Sequence, residues 1–462
     1  MKKILLLALL PGLTALAQGP LPPGAAHAET ARTEGAVAGG LRWLADHQIH
    51  EGAQAGSWPV GTANYRPAIA SLAGLAFLAN GHLPGDDGPY GKTVAEALKY
   101  VMGSMAPDGY IGQGDRSGMY IHAIGSLFAL SCFGMQSDEK FEPKLAEWCR
   151  RSLDVIIRAQ KIARAAEDQG GWRYDPYTPE SDVSVTCWQL LVLHTARQAG
   201  FEVDPQVINA AQAYLNRAYV PVKPEAGQDK GAPAGGYLYR PGIDRQPSHS
   251  SSALVVFILS LYDAADEQRT REALTYLRRY TPTWGGPQYS GFFYFSSFYM
   301  AQGMFQVGGQ EWDAFGPRMA NLLLEHQSGD GSWPYPPDNA SPANLQGTGP
   351  AYPVAMAVLM LSLDKQFLPM YQRQRRLYDS GSSVVTPAAK PVVKDVAAAT
   401  PTAGPISAAT TPEAVPELVP EVTAEVWRGT EEGKASQADE AGEADEEEGV
   451  SPRAVGGRMD GF

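Results

Sequence analysis

Asp182 opens the run Asp182-Val183-Ser184-Val185-Thr186, in which a carboxyl and two hydroxyls recur at every second position. A carboxyl beside hydroxyls suits general acid–base chemistry, its strength set by burial and hydrogen bonding. Two histidines stand in comparable surroundings, His122 in Met119-Tyr120-Ile121-His122-Ala123 and His249 in Ser248-His249-Ser250-Ser251. Asp182, His122 and His249 are therefore the candidate catalytic residues. Tyr65, Tyr120, Ser184, Thr186, Ser251, Tyr294, Tyr299, Gln302 and Tyr352 are the candidate ligand-binding residues, polar or aromatic groups near the starts of apolar segments. The run from Gly291 to Tyr299 holds many aromatics and few aliphatics, which suits the wall of a cavity for an apolar chain or a cation. Each residue also has a structural alternative. Asp182 and Ser248 are good N-caps, the histidines suit a hydrogen-bonded core, and the aromatic run suits plain packing.

The segments that carry these residues repeat. Between about Thr33 and Arg376 the sequence cycles every 50–60 residues or so, the length of a helix pair plus a loop. The six expected pairs are Ala36–Gln48 with Tyr65–Asn80, Lys92–Met105 with Met119–Phe133, and Glu142–Gln160 with Ser181–Ala199, then Pro205–Ala218 with Ser248–Asp263, Glu267–Tyr280 with Gly291–Gln306, and Glu311–Gln327 with Tyr352–Leu363. A glycine-aromatic loop joins each pair, as in Gly170-Gly171-Trp172-Arg173-Tyr174 and Gly331-Ser332-Trp333-Pro334-Tyr335. Second helices such as Ala253-Leu254-Val255-Val256-Phe257-Ile258-Leu259 are apolar all round and must be covered by neighbours. First helices such as 270–279 carry one apolar stripe and a charged face, so they belong outside. The expected fold is all-α, an (α/α)6 toroid of about twelve helices over residues 33–376, with the inner helices starting at one common mouth.

The two ends read differently. Met1-Lys2-Lys3, the apolar run Ile4–Leu10, and the small-residue stretches Ala15-Leu16-Ala17 and Ala26-His27-Ala28 follow the order of a secretory leader over residues 1–28. An exported protein is expected, periplasmic or secreted, cleaved after Ala17 or Ala28. Residues 378–462 hold 16 acidic and 6 basic side chains among Ala, Pro and Thr, a composition that cannot repay chain entropy by burial. That tail is expected to be disordered, a spacer or a dock for a protein partner. The net charge of -13 and the lack of a basic cluster exclude a nucleic-acid partner. Peripheral membrane association is left open. Cys132, Cys149 and Cys187 are too few for a disulfide scaffold or a cysteine-rich zinc site and read as core thiols, with one disulfide as the alternative. No metal or cofactor is expected.

At Asp168-Gln169-Gly170-Gly171-Trp172-Arg173-Tyr174 and Gln327-Ser328-Gly329-Asp330-Gly331-Ser332-Trp333 the chain resembles the terpenoid-cyclase and protein-prenyltransferase superfamily, and more narrowly its prenyltransferase/squalene-oxidase-repeat proteins. The resemblance implies an α/α toroid that binds an isoprenoid. Class II cyclases protonate an alkene from Asp-x-Asp-Asp; the counterpart here is Asp182-Val183-Ser184-Val185, with Ser184 and Val185 where two aspartates would stand. The family's zinc site pairs Asp-x-Cys with a distant His, whereas Cys187 stands five positions beyond Asp182.

Three function classes follow. The first is binding of an isoprenoid or similar hydrophobic ligand in a central cavity, with cyclase or transferase chemistry as an extension. The second is a non-catalytic scaffold whose mouth loops bind protein or peptide. The third is a carbohydrate-active (α/α)6 enzyme, which needs two carboxylates facing each other across a groove; Asp115, Asp182 and Asp244 are the carboxylates near the mouth.

Overall fold

The computed structural model describes residues 23–135, 140–223, 232–286, 289, 292–337 and 347–371. Among the described residues twelve α-helices alternate between two layers. The odd-numbered ones are α1 (Pro23–Asp46), α3 (Gly91–Gly103), α5 (Glu142–Gln160), α7 (Pro205–Arg217), α9 (Glu267–Leu277) and α11 (Gly309–Glu325). The even-numbered ones are α2 (Arg66–Leu78), α4 (Gly118–Cys132), α6 (Val183–Gln198), α8 (His249–Leu261), α10 (Phe293–Val307) and α12 (Ala351–Leu361). Every residue of α2, α4 and α12 is buried, whereas α9 buries only Ala273, Leu274, Tyr276 and Leu277. The even helices therefore form the inner layer and the odd ones shield it.

The inner helices close a ring: α2 packs on α4, α4 on α6, α6 on α8, α8 on α10, α10 on α12, and α12 back on α2. The chain is thus an all-α toroid with its core at the centre. Closure leaves no terminal repeat to cap, the problem that an open solenoid faces. A two-stranded hairpin, β1 (Tyr219–Val222) and β2 (Ala234–Tyr237), is added between α7 and α8, paired antiparallel from Tyr219–Tyr237 to Val222–Ala234. The periodicity does not foretell it.

The glycine-aromatic loops hold neighbouring repeats together through one bond pattern used three times. The indole N–H of Trp58, Trp172 and Trp333 donates to Leu44 O, Ile156 O and Leu323 O, each in the last turn of the preceding outer helix, at 2.7, 2.8 and 2.7 Å. Leu44 O and Leu323 O also accept from the His47 and His326 amides, so each indole shares a carbonyl near a helix end with the backbone. Just upstream, Gln48, Gln160 and Gln327 each donate to a carbonyl of their own loop and to one on the next outer helix: Thr93 O, Val207 O and Ala36 O, all at 2.8–2.9 Å. The last of these ties α11 to α1 and seals the outer layer. Gly170 shows why a glycine is needed. Its φ is +87°, and a Cβ there would lie 2.2 Å from Ala210 O on α7.

After α12 the chain crosses the lower end of the ring. Leu363, Leu368 and Met370 are buried, and the turn Pro369–Tyr371 packs on α6, the helix opposite α12. This segment covers the ring at the C-terminal ends of its inner helices, opposite the face formed by their N-terminal ends and the loops that precede them.

Helix limits match the expected pairs closely, with one large difference. The first outer helix was expected from Ala36 and begins at Pro23, because Ala25, Ala26, Ala28, Glu29 and Ala31 are strong helix formers and Pro23 is a favoured start. Residues 1–22, with most of the expected leader, and the expected tail at 378–462 lie outside the described residues. No described helix is long and apolar enough to cross a membrane.

Candidate functional site

Inner-helix starts meet at the N-terminal face of the ring, where α6 supplies a buried carboxyl. Asp182 is the N-cap of α6, with extended backbone (φ -136°, ψ 158°) and a fully buried side chain. Its Oδ1 accepts from the Val185 amide at 2.8 Å and from Ser184 Oγ at 2.9 Å, and Oδ2 lies 3.3 Å from Arg173 Nη1. Ser184 Oγ is also hydrogen-bonded to the Tyr120 hydroxyl on α4, so carboxyl, hydroxyl and phenol form one line into the ring. Burial pushes the Asp182 carboxyl up to about 6, against the opposing pull of Arg173, the Val185 amide, Ser184 and Arg240.

The loops before α6 and α8 build the rim. Arg173 stacks its guanidinium on the Tyr174 ring at 4.4 Å, and the Tyr174 and Tyr239 hydroxyls are 2.5 Å apart. Each tyrosine carbonyl reaches back to the start of the preceding inner helix: Met119 N donates to Tyr174 O at 2.8 Å and Val183 N to Tyr239 O at 2.9 Å. The free amides of two helix N-termini are thus already satisfied. Beyond the rim, Tyr177 and Ile243 are 73% and 56% exposed.

Under this rim the centre is aromatic. Tyr120 meets Phe295 at 6.2 Å, Phe295 meets Tyr299 at 4.4 Å edge to face, and the Trp188 indole donates to the Tyr299 hydroxyl. On the far side Tyr294, Tyr335 and Tyr352 pack together, with the Tyr294 hydroxyl donating to Pro334 O at 2.7 Å. Burial drives the Tyr120, Tyr294 and Tyr299 phenols well above their ordinary range, so they stay neutral donors. Tyr299 is only 1% exposed, Tyr120 2% and Tyr352 3%. A space wide enough for water would leave accessible area on its walls, so these rings fill the centre against one another.

The structure thus brings Asp182, Ser184 and Tyr120 into one chain of bonds and sets Tyr294, Tyr299 and Tyr352 in the aromatic centre. Gln302 is fully buried on α10, and Tyr65 sits at the start of α2, within the electrostatic reach of Asp115. Other candidates point elsewhere. His122 faces the outer layer, its Nε2 donating to Ser152 O on α5 at 2.9 Å. His249 stacks on Tyr280 with ring centroids 4.4 Å apart and lines a small void with Tyr289, Ser297, Met300 and Phe315. Burial lowers both imidazoles to about 4, leaving them neutral. Thr186 Oγ1 donates to Asp182 O at 2.6 Å and accepts from the Trp172 amide at 3.1 Å, while Ser251 accepts through Oγ from the N-cap Ser248 at 2.9 Å. These are bonds that fasten helix starts. Neither histidine is bonded to Asp182, so the three catalytic candidates do not form one constellation.

The sequence reading missed Arg173, Tyr174, Trp188, Tyr239 and Arg240 as site residues. A signal was present: Tyr174 and Tyr239 both stand three residues after the second glycine of a Gly-Gly pair. Among the described residues no group of three His, Cys, Asp or Glu side chains is arranged to hold a metal, and Cys132, Cys149 and Cys187 are buried and form no disulfide.

No family model and no curated protein matches the chain. Among solved structures it is similar to the type II terpene cyclase MstE from Scytonema in its apo form, at 16% identity over 73% of this chain and 99% of that one, with a TM-score of 0.44. It is also similar to an α-1,6-mannanase from a Salegentibacter species, at 11% identity over 72% of this chain and 98% of that one, with a TM-score of 0.47. The likeness concerns the fold alone.

Proposed function

We propose that this chain is a recognition toroid, exported as its leader-like start suggests, which meets its ligand on the N-terminal face of the ring instead of enclosing an isoprenoid in a central cavity. The observation that carries this reading is the packed centre. Tyr120, Tyr299 and Tyr352 are at most 3% exposed, Tyr120 and Tyr299 both packing on Phe295 and Tyr352 on Tyr294 and Tyr335, a filling that speaks against room for a polyprenyl chain. The exposed side chains of Tyr177 and Ile243 on the rim loops give this face an apolar contact surface. The carbohydrate-active reading has less support. Asp182 is held by Arg173, while Asp115 accepts from the Ser117 amide and Asp244 from the Arg240 amide, each serving its own turn.

The test is retention of squalene and of a polyprenol by delipidated protein after gel filtration, read together with tryptophan fluorescence. Neither lipid is expected to be retained. Stoichiometric retention with quenching that is lost in a Trp188→Phe variant would contradict the proposal.

A further inference from the structure

We propose that the flank of the ring where the last repeat meets the first binds a small amine with an apolar body, in a cavity between α1, α11 and the end of α12. This site is separate from the N-terminal face and from the packed centre.

The outer helices α1 and α11 are tied at one end of their seam, where Gln327 Nε2 donates to Ala36 O at 2.9 Å. Towards the N-termini of both helices, α11 carries Gly316-Pro317 in its interior. A proline inside a helix gives up a backbone donor, and its ring displaces the preceding turn. Gly316 adds no side chain, and a Cβ there would come within 2.8 Å of the Trp312 ring, so the indole lies against the helix itself. One turn further on stands Ala320. Small groups thus line the seam where longer side chains would fill it, and a cavity of about 330 Å³ remains. That volume falls within the range of small-molecule sites, roughly 300–1,000 Å³.

The floor of the cavity is apolar and buried, formed by Val37 of α1, Met319 of α11 and Met360 of α12. Its sides, Trp312 and Ala320, are half-buried, so the cavity opens to solvent along α11. Two carboxylates stand at the opening, Glu34 on α1 and Asp364 on the turn after α12. Both are exposed, and neither has an ion-pair partner among the described residues. Lys365 also lines the opening, but its Nζ is turned to Asn80 Oδ1 at 2.6 Å. Two unpaired carboxylates against one engaged ammonium, on a chain whose net charge is -13, favour a cationic head. Exposed charges contribute little affinity by themselves, so the apolar floor has to bury the body of the ligand.

Isothermal titration calorimetry of the full chain with 4-phenylbutylamine and with 4-phenylbutyrate, which share a body and differ in the sign of the head, tests the assignment at constant ionic strength. Saturable one-to-one binding of the amine is expected, at least tenfold tighter than that of the carboxylate. Ala320→Phe puts a ring into the cavity from its half-buried side and is expected to weaken the amine tenfold or more, whereas Arg150→Gln on α5, a surface control, leaves it unchanged. Glu34→Gln combined with Asp364→Asn changes exposed positions only and is expected to bring the two ligands within about threefold of each other. That double variant decides the matter if Ala320→Phe does not fold. No saturable binding of the amine, undiminished binding by folded Ala320→Phe, or a tenfold preference that survives in the double variant would overturn the assignment. The lipid-retention test reads Trp188 at the centre of the ring, so the two proposals fail separately.

Discussion

At the residue scale, burial disfavours the charged forms of the groups that look most chemical. Asp182 titrates near 6 in the fold against an ordinary value of 3.8, so its contribution to stability is full below about pH 4 and lost as pH rises through 6. His122 and His249 work in the opposite sense: each titrates near 4 against 6.5, so their contribution is full above pH 6.5 and lost as pH falls through 4. Two histidines outweigh one aspartate, so urea unfolding should show stability falling from pH 6.5 to 4.5. In Asp182→Asn, which keeps an N-cap acceptor, that fall should be steeper, by an amount on the order of 2 kcal/mol across this range. A flatter profile for Asp182→Asn would show that the carboxyl is not protonated in the fold. Asp182, Ser184 and Tyr120 were each legible as polar groups near inner-helix starts, but their line of bonds was not, because only the packing of α4 on α6 brings the Tyr120 hydroxyl to Ser184. The histidines were not, because an error of one position in helix phase exchanges the central face for the outer layer.

At the scale of elements, the fold depends on a bond set repeated where one helix pair meets the next. The six pairs could be read from sequence because an inner helix has to be apolar on every side, as α8 is, and an outer one on a single stripe, as α9 is. The loops were legible as loops but not as fasteners. That role rests on Gln48, Gln160 and Gln327, ordinary helix-end residues until their amides are seen reaching the next outer helix. Gln327→Ala removes the bonds to Ala36 O and Gly331 O at the α11–α1 junction and is expected to cost about 1–3 kcal/mol. Gly170→Ala should cost more, since it meets a backbone carbonyl and a positive φ together. Chemical denaturation of both variants checks the order. A Gly170→Ala variant as stable as the parent would mean that α7 does not press on this loop.

At the scale of the molecule, the toroid is a ring whose hole is filled and whose lower end is crossed by the chain after α12. A ring of inner helices invites the expectation of a hollow centre, but fold alone does not set what a site does. Composition could not foretell the filling: the aromatic run 292–299 suits a cavity wall and a packed plug equally well, and only the burial of Tyr299 and its neighbours separates the two. The most direct test is the unfolding free energy of Tyr299→Ala. A packed centre predicts a loss of about 3–5 kcal/mol, the cost of emptying a ring-sized space in a close-packed core. A change of less than about 1 kcal/mol would mean that Tyr299 lines an open chamber, and the account of a solid ring working at its rim would be wrong.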